Sequence, residues 1–378
     1  MVILNKRNLS FTIFAAINIL FSIKYFSRYT EYYLLFAAVL LFMQILLFYK
    51  GGMLTKIASS RYTVINITML TVFCLASIFI FSKISAEASN SDRWSVITSF
   101  WDNFFNGEYV YYAKSHLNNH PGPMPFYFIL ALPFYLIGEL GLFSLMGIIA
   151  FYLLMRYTKV RPSYQAIFIL FVITSPFYLW EISSRSNIFL ISTLIVFSFA
   201  FFFAIKNYTS LKSQLLIGLV LGLMMSTRNI YALCYIILFL YCIKSKKLDI
   251  VSVIKTGCFM ILTFVLTFTP FVLGHWNDFT QMNPFIIQSS YLMPVELSIL
   301  AVFCSFFMFL FCRKDLDVIF YSGVILFFAI ALHLAYHSFD SSFHDAVFES
   351  HADISYFIMC IPFFLYYMLK TDNQKLQA

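Results

Sequence analysis

Long apolar runs, separated by short polar or basic stretches, set the rhythm of this chain. They fall at about 10–26, 31–49, 64–82, 125–155, 164–180, 187–205, 214–226, 229–243, 251–273, 293–311, 318–337 and 353–369. Each predicts a helix, and several reach the roughly 17–25 residues that a bilayer crossing needs. The run at 125–155 is too long for one straight span. It carries Pro125, Pro133, Gly138 and Gly141, and so predicts a broken helix or two short ones. No repeat, low-complexity tract or soluble domain interrupts the series. Residues 1–378 therefore read as a single, all-α, polytopic membrane domain with about 12–13 transmembrane helices.

Residues 83–124 form the longest polar stretch. After Asp92, the residues Trp94, Ile97, Thr98, Trp101 and Phe105 recur at helical spacing, with Asp102, Asn103 and Asn106 on the other side. That pattern predicts an amphipathic helix lying in the membrane interface, anchored by Trp.

Composition narrows the class further. With 61% hydrophobic residues and 11% charged, the chain has far more apolar surface than a soluble core of this size can use. The formal charge of +8 would suit nucleic acid if it lay on one face, but Lys and Arg are scattered between apolar runs, which excludes that partner. The 7 Cys show no C-x-x-C pair and sit mostly inside the apolar runs, where they act as small packing residues. Lys6 and Arg7 precede a long apolar run without a small-residue cleavage site, so the first helix reads as a retained anchor.

The basic residues set the orientation. With the N-terminus inside and one net crossing at 125–155, six clusters fall on the cytoplasmic side: Lys50/Lys56/Arg61, Arg156/Lys159/Arg161, Lys206/Lys212, Lys244/Lys246/Lys247, Arg313/Lys314 and Lys370/Lys375. Two crossings there would put the later clusters outside. The outer face then gathers 83–124, 181–186, 227–229, 274–292 and 338–352, with most of the acidic and histidine residues, so any chemistry belongs on that face.

Several candidates stand out on it. Asp92 is either the N-cap of the interfacial helix or a carboxylate poised at the membrane border. In "GEYVYYAKSHLNNHPGPMPFYF", Gly and Pro turns bring Tyr109, Tyr111, Tyr112 and His116 back over the surface. Arg228 lies between apolar halves of about 13 and 14 residues, too short to span comfortably, so it sits below the outer interface. A fixed guanidinium there suits a phosphate, the alternative being snorkelling to the headgroups. Arg185 stands beside Glu181, and a local ion pair is the favoured account of it. Trp276 and Asn277, with Asp278 and Gln288, offer the aromatic face and amides that sugars use, and equally suit any interfacial loop. His337, His344, His351, Asp340, Asp345 and Asp353 crowd the last loop. His333 and His337 share a helix face and raise a metal, but without H-E-x-x-H and with loose spacings these read as loop polarity, and no cofactor is called for. P-loop, G-x-S-x-G and G-x-G-x-x-G motifs are absent.

The acidic residue opening the first outer loop, "GEYVYYAK…GPMPFYFILALPFYLIG", "LIGLVLGLMMSTRN" and "NPFIIQ" together resemble the C-type (GT-C) superfamily of integral-membrane glycosyltransferases, over roughly 62–310. Two extra spans (10–49) precede what would be the family's first helix, and the tight acidic pair often seen there is replaced by Asp92–Arg93. The resemblance implies a polyprenyl- or dolichyl-phosphate-linked sugar as donor, and a lipid-linked glycan or other acceptor on the extracytoplasmic face. It also implies inversion at the anomeric carbon, with Asp92 as general base, alone or with Asp102. Arg228, and less directly Arg185 or His351, would face the departing lipid phosphate, in a multi-pass protein of the bacterial inner membrane. A polysaccharide polymerase or ligase, or a lipid-linked-glycan transporter, is the competing reading. The largest outer loop comes early, and the spans carry few polar groups, which favours the transferase.

Overall fold

Gly138 shows how the sequence breaks this chain. In the computed structural model, which describes residues 5–54, 59–88, 91–290, 294–348 and 352–375, it takes a left-handed backbone (φ 85°) and closes one helix before the next begins at Gly141. All regular structure among the described residues is helical. The helices are α1 (Lys6–Phe26), α2 (Tyr33–Leu54), α3 (Ser59–Lys83), α4 (Arg93–Phe105), α5 (Pro125–Ile137), α6 (Gly141–Tyr157), α7 (Pro162–Ile173), α8 (Pro176–Ser183) and α9 (Ile188–Ala204). They continue with α10 (Leu211–Met225), α11 (Ala232–Lys244), α12 (Ile250–Val272), α13 (Trp276–Gln281), α14 (Pro284–Ser290), α15 (Val295–Met308), α16 (Asp315–Asp340), α17 (Phe343–Phe348) and α18 (Ile361–Lys375).

Six segments are long and apolar enough to cross a membrane unaided: α1, Tyr33–Gly51 of α2, Arg61–Lys83 of α3, α12, α16 and Ile354–Asn373. The chain is a multi-pass membrane protein. The run expected as one span at 164–180 is instead α7 and α8, bent by 63° where Thr174 and Ser175 precede Pro176. The cause is the proline ring, which cannot continue the hydrogen-bond ladder and disfavours a helical residue before it. α6, α9, α10, α11 and α15 are shorter apolar helices.

The molecule has two polar ends. At one, Lys6 pairs with Asp317, Arg7 with Asp372 and Lys247 with Asp315, while Lys370 donates to the Thr158 carbonyl and Lys244 to that of Leu310. Basic clusters far apart in sequence thus meet, as expected of one membrane side. At the other end lie Asp92, residues 113–124, 227–228, 275–288 and 353–355, tied by contacts such as Met124 N–H to the Thr227 carbonyl (3.1 Å) and Tyr109 hydroxyl to the Met282 carbonyl (2.7 Å). α5 starts at this end on Ser226 and Thr227, and the Glu139 that follows it is still there, against Arg185. α6 alone then carries the chain to Thr158 at the opposite end. Residues 125–155 thus pass once from one polar end of the molecule to the other.

α4 forms where its pattern put it, but its apolar face meets protein. Phe100 stacks on Phe128 of α5 (3.6 Å between centroids), Trp101 donates to the Phe128 carbonyl, and both rings contact Phe271 of α12. Phe105, expected on the same face, is exposed.

The "G-x-x-x-G" of α10 seats that helix on α12. Gln214 donates to Ser252 and Ser226 shares a hydrogen bond with Thr267, so the two helices run parallel in a fixed register. Between these contacts a Cβ on Gly218 would stand 2.4 Å from the Phe259 Cβ, and one on Gly222 only 2.5 Å from the Met260 carbonyl oxygen. Close approach of this kind is what small residues permit in membrane helix pairs. Gly222→Val is expected to cost about 2 kcal/mol or more by overpacking, read as a lower unfolding temperature in detergent. Gly257→Ala on α12, with nothing within 4 Å, is the matched control and should be neutral or slightly stabilising.

Candidate functional site

Asp92 sits at the entrance to α4, in the N-cap position, yet its side chain makes no capping hydrogen bond. The carboxylate turns instead to the loop that follows α4. Ser115 Oγ (3.0 Å) and Asn119 Nδ2 (2.7 Å) both donate to its Oδ2. That loop is a tight turn: Asn119 N–H donates to Ser115 Oγ, Asn118 N–H to the Ser115 carbonyl, and Asn118 has φ 61°, a left-handed conformation that Asn tolerates. His116 is locked over the start of α4, its ring stacked on Trp94 (5.5 Å, 21°) and its Nδ1 2.7 Å from Ser95 Oγ. Oδ1 of Asp92 has no hydrogen-bond partner among the described residues. A half-exposed carboxylate held by neutral donors at one oxygen, and open at the other, can accept a proton.

The next residue leads inward. Arg93 forms an ion pair with Asp353, donates to Ser355 Oγ (3.0 Å), and has its guanidinium 5.1 Å from the centroid of the Tyr356 ring. Burial would raise the Asp353 carboxyl, but Arg93, the hydrogen bonds from Ser355 and the Lys24 ammonium outweigh it and hold the group below the ordinary carboxylate range. Arg228 approaches the same Tyr356 ring (5.9 Å) and also Tyr127 (5.7 Å). It is only 8% exposed, so it does not snorkel to headgroups. It makes no ion pair or side-chain hydrogen bond among the described residues, and its Nε is a buried donor without a partner. Two guanidiniums within 6 Å of one ring, of which only Arg93 has a paired carboxylate, leave this pocket cationic. A dianionic phosphate suits such a place.

Asp92, His116 and Arg228 lie at one end of the molecule, and it is Arg93, the residue after Asp92, that meets Arg228 at the Tyr356 ring. Other candidates are placed elsewhere. Asp102 lies more than two turns further along α4, is exposed, and accepts from Tyr135 (2.6 Å). Tyr109 is buried against α13, its ring 5.6 Å from His275. Trp276 and Asn277 are exposed on α13, with Trp276 stacked on Phe279. Arg185 is engaged elsewhere: it donates to the Ser183 and Ile84 carbonyls, covers the Phe81 ring and lies 3.5 Å from Glu139, although its buried Nε completes no hydrogen bond. The expected Glu181–Arg185 pair does not form, because Arg185 has φ 53° and its side chain is turned toward the end of α3, away from its neighbour. His351 lies outside the described residues. The rings of His333 and His337 are 4.5 Å apart, and no group of three or more potential ligands that could hold a metal occurs among the described residues.

The local pattern named Asp353 and Glu181 without linking them to Arg93 or Arg228, and it passed over Lys24 and Tyr25. Asp353 comes from a loop 260 residues away from Arg93. Glu181, fully buried on α8, lies within charge reach of both Arg93 and Arg228. α1, expected as an extra span ahead of the core, brings buried Lys24 near Asp353 and stacks Tyr25 on Trp180 (5.6 Å). A lysine inside an apolar run was the available signal. Comparison with known proteins finds no matching family model, no matching curated protein and no matching solved structure.

Proposed function

We propose that this protein is a membrane glycosyltransferase that moves a sugar from a polyprenyl-phosphate donor to a lipid-linked glycan or other acceptor at the outer face of the plasma membrane. One observation carries the reading: a carboxylate with a free oxygen stands one residue from a guanidinium that shares an aromatic ring with a second one, itself without an ion pair among the described residues, all at one end of a multi-pass helical protein. Asp92 Oδ1 takes the proton of the acceptor hydroxyl as that oxygen attacks the anomeric carbon. The bond from that carbon to the phosphate oxygen breaks on the opposite face, and its electron pair leaves with the lipid phosphate. Arg228, supported by Arg93, carries the charge that develops there. The configuration inverts because one displacement occurs. Placement at the membrane border follows from the chemistry, since one substrate is anchored in lipid. A polymerase acting on lipid-linked glycans would use the same groups and differs only in the acceptor.

Purified protein should release polyprenyl phosphate from a radiolabelled lipid-linked sugar in the presence of membrane glycan acceptors. No release with any of several hexosyl lipids would sink the assignment. Sidedness has its own test. Reporter fusions after Lys212, Lys247 and Lys314 should report cytoplasm, and one within 108–120 should report the outside. An outside signal at Lys247 would reverse the orientation and remove the acceptor's route to Asp92.

A further inference from the structure

Three polar atoms buried around Tyr127 lack a hydrogen-bond partner, and two of them, on Glu181 and Asn187, have no role in the displacement just described. Glu181 is wholly buried, and its Oε1 accepts from the Phe189 N–H (2.8 Å) while its Oε2 has no partner. Asn187, 1% exposed at the start of α9, lies beside the Tyr127 hydroxyl, but its Nδ2 completes no hydrogen bond of normal geometry. The Nε of Arg228, whose guanidinium lies against the Tyr127 ring, is the third. Glu181 is within charge reach of Tyr127, Tyr231, Arg93 and Arg228, so the three belong to one neighbourhood. Leaving a buried donor or acceptor unmade is costly, and three in one neighbourhood are what a ligand's own polar groups would complete.

The chemistry of the orphaned atoms specifies that ligand. A carboxylate oxygen requires a donor, while an amide N–H and a guanidinium N–H require acceptors. A hydroxyl supplies both, and a phosphate supplies only acceptors. We propose that Glu181 and Asn187 form a subsite that grips hydroxyl groups of the donor's sugar ring, next to the phosphate held on Arg228. This makes them specificity residues, and it rests on the lipid-phosphate-sugar reading.

Equilibrium binding in lipid nanodiscs tests this with two probes: bare polyprenyl phosphate, and a polyprenyl-phosphate hexose offered in turn as glucose, mannose or galactose. The wild type should hold at least one hexosyl lipid about tenfold more tightly than the bare lipid, the worth of a charge-assisted hydrogen bond. Glu181→Gln keeps an acceptor for the Phe189 N–H and turns the other end of the side chain into an amide donor. It should erase the sugar preference while holding bare polyprenyl phosphate as well as the wild type. Asn187→Ala should erase the preference in the same way. Arg228→Met should weaken both lipids together. If Glu181→Gln shifts both lipids equally, Glu181 is only a counter-ion to the guanidiniums, and the subsite falls while the transferase reading stands. Equal wild-type affinity for bare and hexosyl lipids overturns the subsite directly. Wild-type binding of neither lipid overturns both.

Discussion

Asp92→Asn is expected to lower sugar transfer about 10²–10⁴-fold, the usual contribution of a positioned general base. The fold should survive the change. Ser115 and Asn119 both donate to a single oxygen, Oδ2, and an asparagine carbonyl placed there keeps both contacts. The amide nitrogen then occupies the position of Oδ1 and cannot accept a proton. Since the side chain makes no capping hydrogen bond, helix α4 does not depend on it. Asp102→Asn is the internal control: it removes the same charge from the same helix, at an exposed position whose side chain bonds, among the described residues, only to Tyr135, and should leave turnover near wild type. Steady-state transfer and thermal unfolding of both variants, in the same detergent, check the claim. Near-wild-type turnover in Asp92→Asn would remove Asp92 from the reaction, and a loss equal in Asp102→Asn would mean a long-range charge effect.

The legible and illegible parts of this molecule divide along a physical line. Apolar run length and Pro/Gly punctuation are local properties, so the all-helical membrane class, the break at Gly138 and the turn that sinks Arg228 were open to reading. The meeting of basic clusters at one end also followed, because membrane sidedness sorts Lys and Arg by loop. What local pattern cannot encode is which loops touch. Arg93 and Asp353 are 260 residues apart, and nothing in either neighbourhood names the other. Trp276 and Asn277, chosen by residue type, stand exposed on α13. Adjacency misled at Arg185, where a positive φ turns the side chain from Glu181 to Glu139. The small residues of α10 were visible, but their use could be known only once Gly218 and Gly222 were seen against α12. Lys24, silent within an apolar run, turned out to lie beside the ionic cluster.

Arg228 should matter through charge and not through packing. It is buried against Tyr127 and Tyr356, without an ion pair or side-chain hydrogen bond among the described residues. A charge so placed is a burden on the empty protein, since no direct ion pair among the described residues offsets its desolvation. Arg228→Met keeps the apolar stem, relieves that burden, and should insert and unfold at or above the wild-type temperature. Its turnover should fall about a hundredfold, the roughly 3 kcal/mol that a preorganised donor contributes to a departing oxyanion in a low-dielectric site. Arg228→Lys keeps the charge but loses the planar fork, and should retain an intermediate activity. The partition between steps is the sharper observable. As the sugar leaves, negative charge accumulates on the phosphate, so the contact strengthens along the reaction, and turnover should fall further than donor affinity. A loss confined to affinity would make Arg228 a docking residue alone. Full activity in Arg228→Met would move the phosphate to Arg93, whose guanidinium is the other one at the Tyr356 ring and is already engaged with Asp353. The Asp353→Asn variant would then be expected to gain anion affinity, because it frees that guanidinium for the lipid phosphate.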